Sequence, residues 1–561
     1  MERPPRGDRR MAYAALLLFA LALWLGPLQE PAHEAKAFAT GLCVSLALLL
    51  AALTGRAVFA VAFTSLLMGV LGLAAWLKYR YLALPLLAPD LRYLAGADLL
   101  RTLVHYPSLL TLWLSLLLTL PWVLAGFWRH DRGRPFGRAP LRAAVALLGM
   151  LGLQQALSPT GPFASVHAKD PYDLMQERSP FASFAISFRA MQPRPPSYAP
   201  DAAGAFTWTQ PPGQPPARRP LPDLVVVLEE STFDPRTLGF CSEPVCERRM
   251  FQPDARTVSE GLLNVHTWGG GTWTSEFTFL TGLVHSSLGP AGIYAPFNLA
   301  PRIRFSLPRA LEAQGYRTVA VYPTPASYLN AAQAYAAYGF DASYDGEASG
   351  LSWTSTDAEI VRAFARIAAQ ERAHGGGRPL FLYLLTIRQH GPHGEAHGDR
   401  PPPYAHALER SPLDARQQRA LADYLSRLED SDRALSELES VLERSGRPTL
   451  LLHFGDHQPS FGGALEGLSL PPHEGVPDAR RATYYHLRAL HWPVQGLRYP
   501  ALDLALLGGL LLDAAGLAKD PFFTANALLR ERCQGQYLAC EAPRLVDSYH
   551  TRVFAELGDL Q

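Results

Sequence analysis

Nearly every long apolar run in this 561-residue chain lies before residue 160, and that asymmetry limits the fold more than any other feature. Five runs, at 11–28, 37–53, 57–77, 108–127 and 141–157, each approach the ~20 residues a helix needs to cross a hydrocarbon core. Buried core helices would not recur five times in so short a stretch. The first run follows several arginines and so has the outline of a signal peptide. It lacks a small-residue cleavage site and precedes four further runs, so it is expected to stay as a helix. The segment "KYRYLALPLLAPDLRYL" (78–94) is apolar but broken by Pro85 and Pro89. It is expected in the membrane interface or against the bundle, not across it.

Arginine placement sets the expected orientation. Arg3, Arg6, Arg9 and Arg10 precede the first run, and Arg129, Arg132, Arg134, Arg138 and Arg142 surround the loop between the fourth and fifth. With five spans these two groups share one side, the cytoplasmic one, against Lys78, Arg80, Arg92 and Arg101 on the other. An odd number of spans then puts everything after Leu157 outside the cytoplasm. The expectation is a protein integral to the cytoplasmic (inner) membrane, with its remaining mass facing the periplasm or the extracellular side. The formal net charge of +1 gives no electrostatic case for a nucleic-acid partner.

The chain thus divides into a transmembrane part at 1–157, a tether at 158–222 and a water-soluble domain at 223–561. The tether is rich in proline, serine and aromatic residues, and "QPRPPSYAP" and "TQPPGQPPARRP" read as extended, polyproline-like chain. The domain opens on "DLVVVL", a continuous apolar run suited to a strand buried on both sheet faces. Similar runs recur at 317–323, 380–386, 449–455 and 483–489, with helical patterns at 306–314, 357–374 and 413–443. Such alternation predicts an α/β domain with a mostly parallel sheet and helices on both faces.

Ligands of such sheets collect beyond the carboxyl ends of the strands. "DLVVVL" runs into Glu229, "LFLYLLT" into His390 and His393, and "TLLLHFG" into Asp456 and His457. Glu229, Asp456 and His457 offer oxygen and nitrogen donors suited to one divalent ion such as zinc, manganese or magnesium. An aspartate–histidine pair directly after a buried strand is hard to account for by packing, although a surface turn with a satisfied aspartate is the alternative.

In "HTWGGGTWTSEFTFLTGL" three glycines precede Thr272, itself at the start of a helical pattern. Glycine marks turns more often than active sites. Here, however, it would let backbone amides approach a phosphate oxygen, and a metal would lower the pKa of the Thr272 hydroxyl, making Thr272 both ligand and nucleophile. Cys241 with Cys246, and Cys533 with Cys540, are spaced as loop disulfides for an oxidising compartment; zinc binding would lack the usual Cys-x-x-Cys spacing.

Taken in order, "VVVLEES", "GGGTWTSEFTFLTGL", "HGPH" and "FGDHQPSF" resemble the alkaline phosphatase/sulfatase superfamily. More narrowly they resemble its membrane-bound branch of lipoteichoic acid synthases and periplasmic-glucan phosphoglycerol transferases, and the likeness takes in the five-span amino-terminal part. The resemblance implies that Glu229, Thr272, Asp456 and His457 hold the metal, that Thr272 is the covalent nucleophile and that His390 contacts substrate phosphate. It implies transfer of a phospholipid headgroup to a hydroxyl of a glycan or glycolipid, with hydrolysis or a non-catalytic scaffold as the alternatives. His390 or His393 would move a proton.

Two departures stand out. No Cys/Ser-x-Pro-x-Arg motif surrounds Thr272, so sulfate ester hydrolysis is not expected. Where the synthases hold glycerol phosphate with His, Trp and Arg, "VYPTPASYLNAA" offers Tyr322, Leu329 and Ala331, with Asn330 alone fitting. Loss of the arginine removes a bidentate phosphate contact, so phosphoethanolamine rivals phosphoglycerol as the headgroup.

Overall fold

Asp223–Glu229 (β1) can serve as a central strand because it has no side that needs water. All seven residues are buried. Leu224, Val226 and Leu228 enter one apolar core, while Val225 and Val227 enter another. In the computed structural model β1 is flanked by parallel Leu380–Leu385 (β5) and Thr449–Gly455 (β6). The structure describes residues 6–560 except 83, 96–98, 101–102, 105, 132–138, 170–173, 175–178, 189–192, 197–205, 210–219, 242–243, 395–403, 405, 407 and 465–467.

The other strands are Thr257–Asn264 (β2), Arg317–Val321 (β3), Ala342–Tyr344 (β4), Ala482–Leu490 (β7) and Ala501–Asp503 (β8). The sheet runs β4-β3-β5-β1-β6-β7-β2-β8. Only β7 opposes its neighbours, β6 and β2, and the remaining pairings are parallel. The sheet is therefore mostly parallel.

Its two faces carry different helices. Thr272–Thr281 (α7), Ala331–Tyr338 (α8) and Leu504–Ala514 (α11) pack into the core shared by Leu224, Val226 and Leu228. Asp357–His374 (α9) and Ala415–Arg444 (α10) pack into the core of Val225 and Val227. Burying both faces explains why the strands read as continuous apolar runs.

Before this domain, five helices among the described residues are long and apolar enough to span a membrane: Arg6–Leu25 (α1), His33–Thr54 (α2), Ala57–Leu82 (α3), Pro107–His130 (α4) and Ala139–Leu157 (α5). Of the basic loop used for orientation, Arg132, Arg134 and Arg138 lie outside the described residues. Residues divide into two compact units, 1–80 with 84–191, and 81–83 with 192–561. The stretch expected as extended tether includes the short helix Pro180–Ser187 (α6) in the first unit. In the second, Trp208 is buried, donates to Ser548 Oγ at 3.0 Å and meets Tyr549 edge-on. A proline-rich composition thus leaves room for one aromatic anchor that pins the chain to the domain it leads into. Cys241–Cys246 and Cys533–Cys540 are disulfides within the second unit, and Cys43 is a buried free thiol.

Candidate metal and nucleophile site

β1 ends at Glu229, and strand alternation decides what the two glutamates that follow one another can do. Side chains at even positions of β1 lie on the side of α7, and those at odd positions on the side of α9 and α10. Glu230 accordingly joins Asp456 and His457 in a buried group whose donor atoms lie within 4.8 Å of one another. Glu229 does not. Its Oε2 is 3.5 Å from the Thr386 hydroxyl, and Asp357 and Asp432, on α9 and α10, are the carboxylates that bear on it. The assignment of Glu229 as ligand is thereby corrected to Glu230. The physical reason is a single step along an extended chain, which moves a side chain to the other face. Burial raises the pKa of both carboxyls well above the usual range, so geometry, not titration, separates them.

Asp456 and His457 follow β6 directly. Asp456 Oδ1 accepts from the amides of Ser231 and His457 at 2.7 and 2.8 Å. His457 Nδ1 lies 3.1 Å from the carbonyl of Gln458, which fixes the tautomer with its proton there and leaves Nε2 as an acceptor. Nε2 is 3.4 Å from Asp456 Oδ2, 3.8 Å from Glu230 Oε1 and 3.3 Å from the Thr272 hydroxyl. Asp456 Oδ2 and Glu230 Oε2 are buried without a hydrogen-bond partner. Two carboxylate oxygens and an imidazole acceptor, converging and unsatisfied, are costly to bury alone and fit a divalent cation. Burial raises the Asp456 pKa against the opposing pull of His457 and Thr272.

Thr272 reaches this group because of the glycines before it. Gly269 has φ +79° and donates to the Gln458 carbonyl at 2.8 Å, laying the loop alongside the segment that follows β6. Gly271 has φ +93°, and a Cβ there would stand 3.0 Å from Thr267 Oγ1 and 3.3 Å from Thr274 Oγ1. A side chain would be strained in that conformation and crowded by its neighbours. Helix α7 begins at Thr272 without any side-chain cap; the Thr274 amide donates to the Gly271 carbonyl at 2.7 Å, and no side chain caps the amides of Thr272 and Trp273 beside the half-buried hydroxyl. Ser275 Oγ donates to the Asp456 carbonyl at 2.7 Å and ties the helix start to the end of β6.

His390 and His393 stand apart from the Glu230–Asp456–His457 group. Arg427, paired with Asp423 at 2.8 Å, donates to the carbonyls of His390 and Pro392 and so clamps their loop. His390 Nδ1 lies 2.8 Å from the Gly391 carbonyl, and its ring meets Trp353 edge-on. His393 is buried against Tyr424 and Phe461. Burial, helped by Arg427, lowers its pKa to about 3, so it is a neutral imidazole near pH 7 and a poor proton donor. The sequence left open whether His390 or His393 donates or accepts a proton, and a neutral His393 ring speaks against the donor role for that residue.

Tyr322, Leu329 and Ala331 do come together, around a small cavity also lined by Trp273 and Glu276 of α7. Asn330, the one residue that fitted the glycerol phosphate pattern, donates instead to the Pro296 carbonyl at 3.0 Å, with φ +63° at the start of α8. It shapes the loop. Glu276, missed in the sequence, accepts from the hydroxyls of Tyr335 and Tyr383 at 2.6 and 3.2 Å. Burial raises its pKa to about 7. The signal was present, since an acid four residues after Thr272 must lie on the same helix face.

Residues 222–502, half of the chain, match the family model described as sulfatase. The chain belongs to the sulfatase family. This sulfatase-family chain is 30% identical over 350 residues to an uncharacterized protein of Haemophilus influenzae, covering 60% of the chain and 61% of the relative. It is 25% identical over 254 residues to a putative cyclic beta-1,2-glucan modification protein of Rhizobium meliloti, covering 43% and 36%. It therefore spans less than two thirds of the length of either relative. Among solved structures it resembles the Streptococcus pyogenes phosphoglycerol transferase GacH in complex with sn-glycerol-1-phosphate, at TM-score 0.45 and 14% identity over 65% of this chain and 94% of that one. It also resembles the zinc complex of the periplasmic domain of Escherichia coli EptC, at TM-score 0.39 and 15% identity over 61% and 92%.

Proposed function

We propose that this protein is a membrane-anchored transferase that moves the headgroup of a phospholipid, phosphoglycerol or phosphoethanolamine, onto a hydroxyl of an envelope glycan or glycolipid. The observation that carries the reading is Thr272, whose hydroxyl stands at an uncapped helix start, 3.3 Å from His457 Nε2, beside two buried carboxylates with unsatisfied oxygens. Five membrane-length helices ahead of the domain suit a donor that is itself a membrane lipid. The glucan-modification name of the Rhizobium relative supports a glycan acceptor. The soluble domain would then face the periplasm or the extracellular side of the cytoplasmic membrane.

In this reading the Thr272 oxygen attacks the phosphorus of the lipid phosphodiester. The bond from phosphorus to the diacylglycerol oxygen breaks, and diacylglycerol leaves with the proton that the threonine gave up. An acceptor hydroxyl then attacks phosphorus, the bond to Thr272 breaks and the threonine regains a proton. Glu230, Asp456, His457 and Thr272 would hold one divalent ion, zinc, manganese or magnesium. When bound, it supplies positive charge to offset the phosphoryl oxygens and to favour ionisation of the attacking hydroxyl. The amides that open α7 add partial positive charge beside the same oxygens. His390 would contact the phosphate or carry a proton at one step.

The test is mass spectrometry of the full-length protein after incubation with labelled phosphatidylglycerol or phosphatidylethanolamine. The expected result is a headgroup phosphate on Thr272 that an acceptor glycan discharges. Discharge to water alone would make the protein a hydrolase, and absence of any adduct from either lipid would overturn the reading.

A further inference from the structure

Glu276 is a buried carboxyl with no cation to pair with. Its hydrogen bonds come from two tyrosine hydroxyls, and both address Oε1. No ion pair to it occurs among the described residues, and the charged group that bears on it is Asp456, another acid. A buried carboxylate in such a setting is costly unless a positive group meets it. The cavity beside it is lined by Trp273, Tyr322, Leu329, Tyr335 and Tyr338, with no basic side chain among the described residues that line it. Its volume is about 10 Å³, the room one water-sized group needs.

The position of this cavity relative to the nucleophile follows from helix geometry. Thr272 and Glu276 are four residues apart on α7, hence on one face and separated by roughly 6 Å along the axis. A group held in the cavity would be joined to phosphorus at Thr272 by a short arm. Aromatic faces around a carboxylate are the chemistry that recognises an ammonium. Glycerol ends in a neutral hydroxyl of similar size, which fills the same room and leaves the acid uncompensated.

We infer that Glu276 and the aromatic side chains around it select a donor whose headgroup ends in a primary ammonium, as phosphoethanolamine does. This rests on the transferase reading above and chooses between its two headgroups. Trp273 and Tyr322 supply the walls and Glu276 the counter-charge. Tyr335 and Tyr383 hold the carboxylate in place and act as positioning residues.

The experiment uses full-length protein with vesicles of phosphatidylethanolamine or phosphatidylglycerol, alongside E276Q, which keeps the shape and the two hydrogen-bond acceptor contacts. Wild type is expected to acquire the phosphoethanolamine mass on Thr272. E276Q is expected to lower the ratio of kcat/KM for phosphatidylethanolamine over phosphatidylglycerol by roughly 30-fold or more. Should E276Q fail to fold, calorimetry on T272A protein decides, with free phosphoethanolamine expected to bind more tightly than glycerol 3-phosphate. A Thr272 adduct from phosphatidylglycerol alone, an unchanged ratio in E276Q, or tighter binding of glycerol 3-phosphate would each overturn the ammonium site while leaving the transferase standing. No adduct from either lipid would instead remove the transferase.

Discussion

On the face of the sheet that carries α9 and α10, both helices begin with capping boxes. Thr356 and Glu359 close the start of α9, and Asp414 and Gln417 close that of α10, so side chains accept from the amides of Glu359, Arg416 and Gln417. On the opposite face α7 begins with a left-handed glycine and no side-chain cap. The same contrast holds between adjacent carboxyls. Glu229 looks toward α9 and α10 and the Thr386 hydroxyl, whereas Glu230 converges with Asp456 and His457 near α7. The α9 and α10 face closes its helix starts with side chains, although Asp357 Oδ1 there is also buried without a hydrogen-bond partner; near α7, carboxylate oxygens of Glu230 and Asp456 stand unsatisfied beside the Thr272 hydroxyl. Unsatisfied groups in an otherwise well-packed domain are where stability has been given up for chemistry.

Thr272→Ala should bring the largest change, a loss of turnover by roughly 1,000-fold or more. Because Thr272 makes no cap hydrogen bond, thermal unfolding should shift little, within about 0.5 kcal/mol. Thr272→Ser should retain part of the activity, since it keeps the oxygen. Steady turnover by folded Thr272→Ala protein would reduce the glycine-rich loop to a turn.

The adjacent glutamates give the sharpest test of the two-face contrast. Glu230→Gln should lower bound divalent metal and turnover together, by roughly 100-fold or more in activity. Glu229→Gln should leave metal content unchanged and activity within about threefold, because its carboxyl faces the Thr386 hydroxyl and not the Glu230–Asp456–His457 group, and glutamine keeps its shape and an acceptor for that hydroxyl. Metal loss in Glu229→Gln with metal retained in Glu230→Gln would reverse the assignment. Between these extremes, Gly271→Ala should cost about 1 kcal/mol or more of stability from its φ of +93°. It should also lower turnover by roughly 10- to 100-fold by displacing Thr272.

Much of this plan was legible in the chain. The five apolar helices and the strands β1, β3, β5, β6 and β7 read directly, because burial on both sides or in lipid demands unbroken apolar runs. β2 was not seen. Its sequence "TVSEGLLN" breaks that pattern with Glu260 and Gly261. Gly261 is there because the Pro500 carbonyl passes 2.5 Å from where its Cβ would be. A three-residue strand such as β4 or β8 carries too few side chains to show any period. At the site, the motifs pointed to Thr272, Asp456 and His457, which the fold brings together. The choice between Glu229 and Glu230 needed the parity of β1 relative to α7, which an all-apolar strand conceals because both of its faces look alike. The role of Asn330 was likewise hidden, since a left-handed turn and a ligand contact draw on the same residue type.

The smallest effect belongs to the face whose helix starts are capped. Thr356→Ala removes the hydroxyl that accepts from the Glu359 amide at the start of α9. Loss of such a cap costs typically about 1 kcal/mol, and the exposed position lets water take over part of the hydrogen bonding. Helix α9 packs into the core of Val225 and Val227, away from Thr272 and its group, so the loss should remain a loss of stability. Unfolding should move to slightly lower denaturant with an unchanged m-value, while kcat, KM and metal content remain those of wild type. A fall in kcat of tenfold with the fold intact would show that the α9 face is coupled to the site through Asp357 and Glu229. The two faces would then no longer be separable into one that supports and one that reacts.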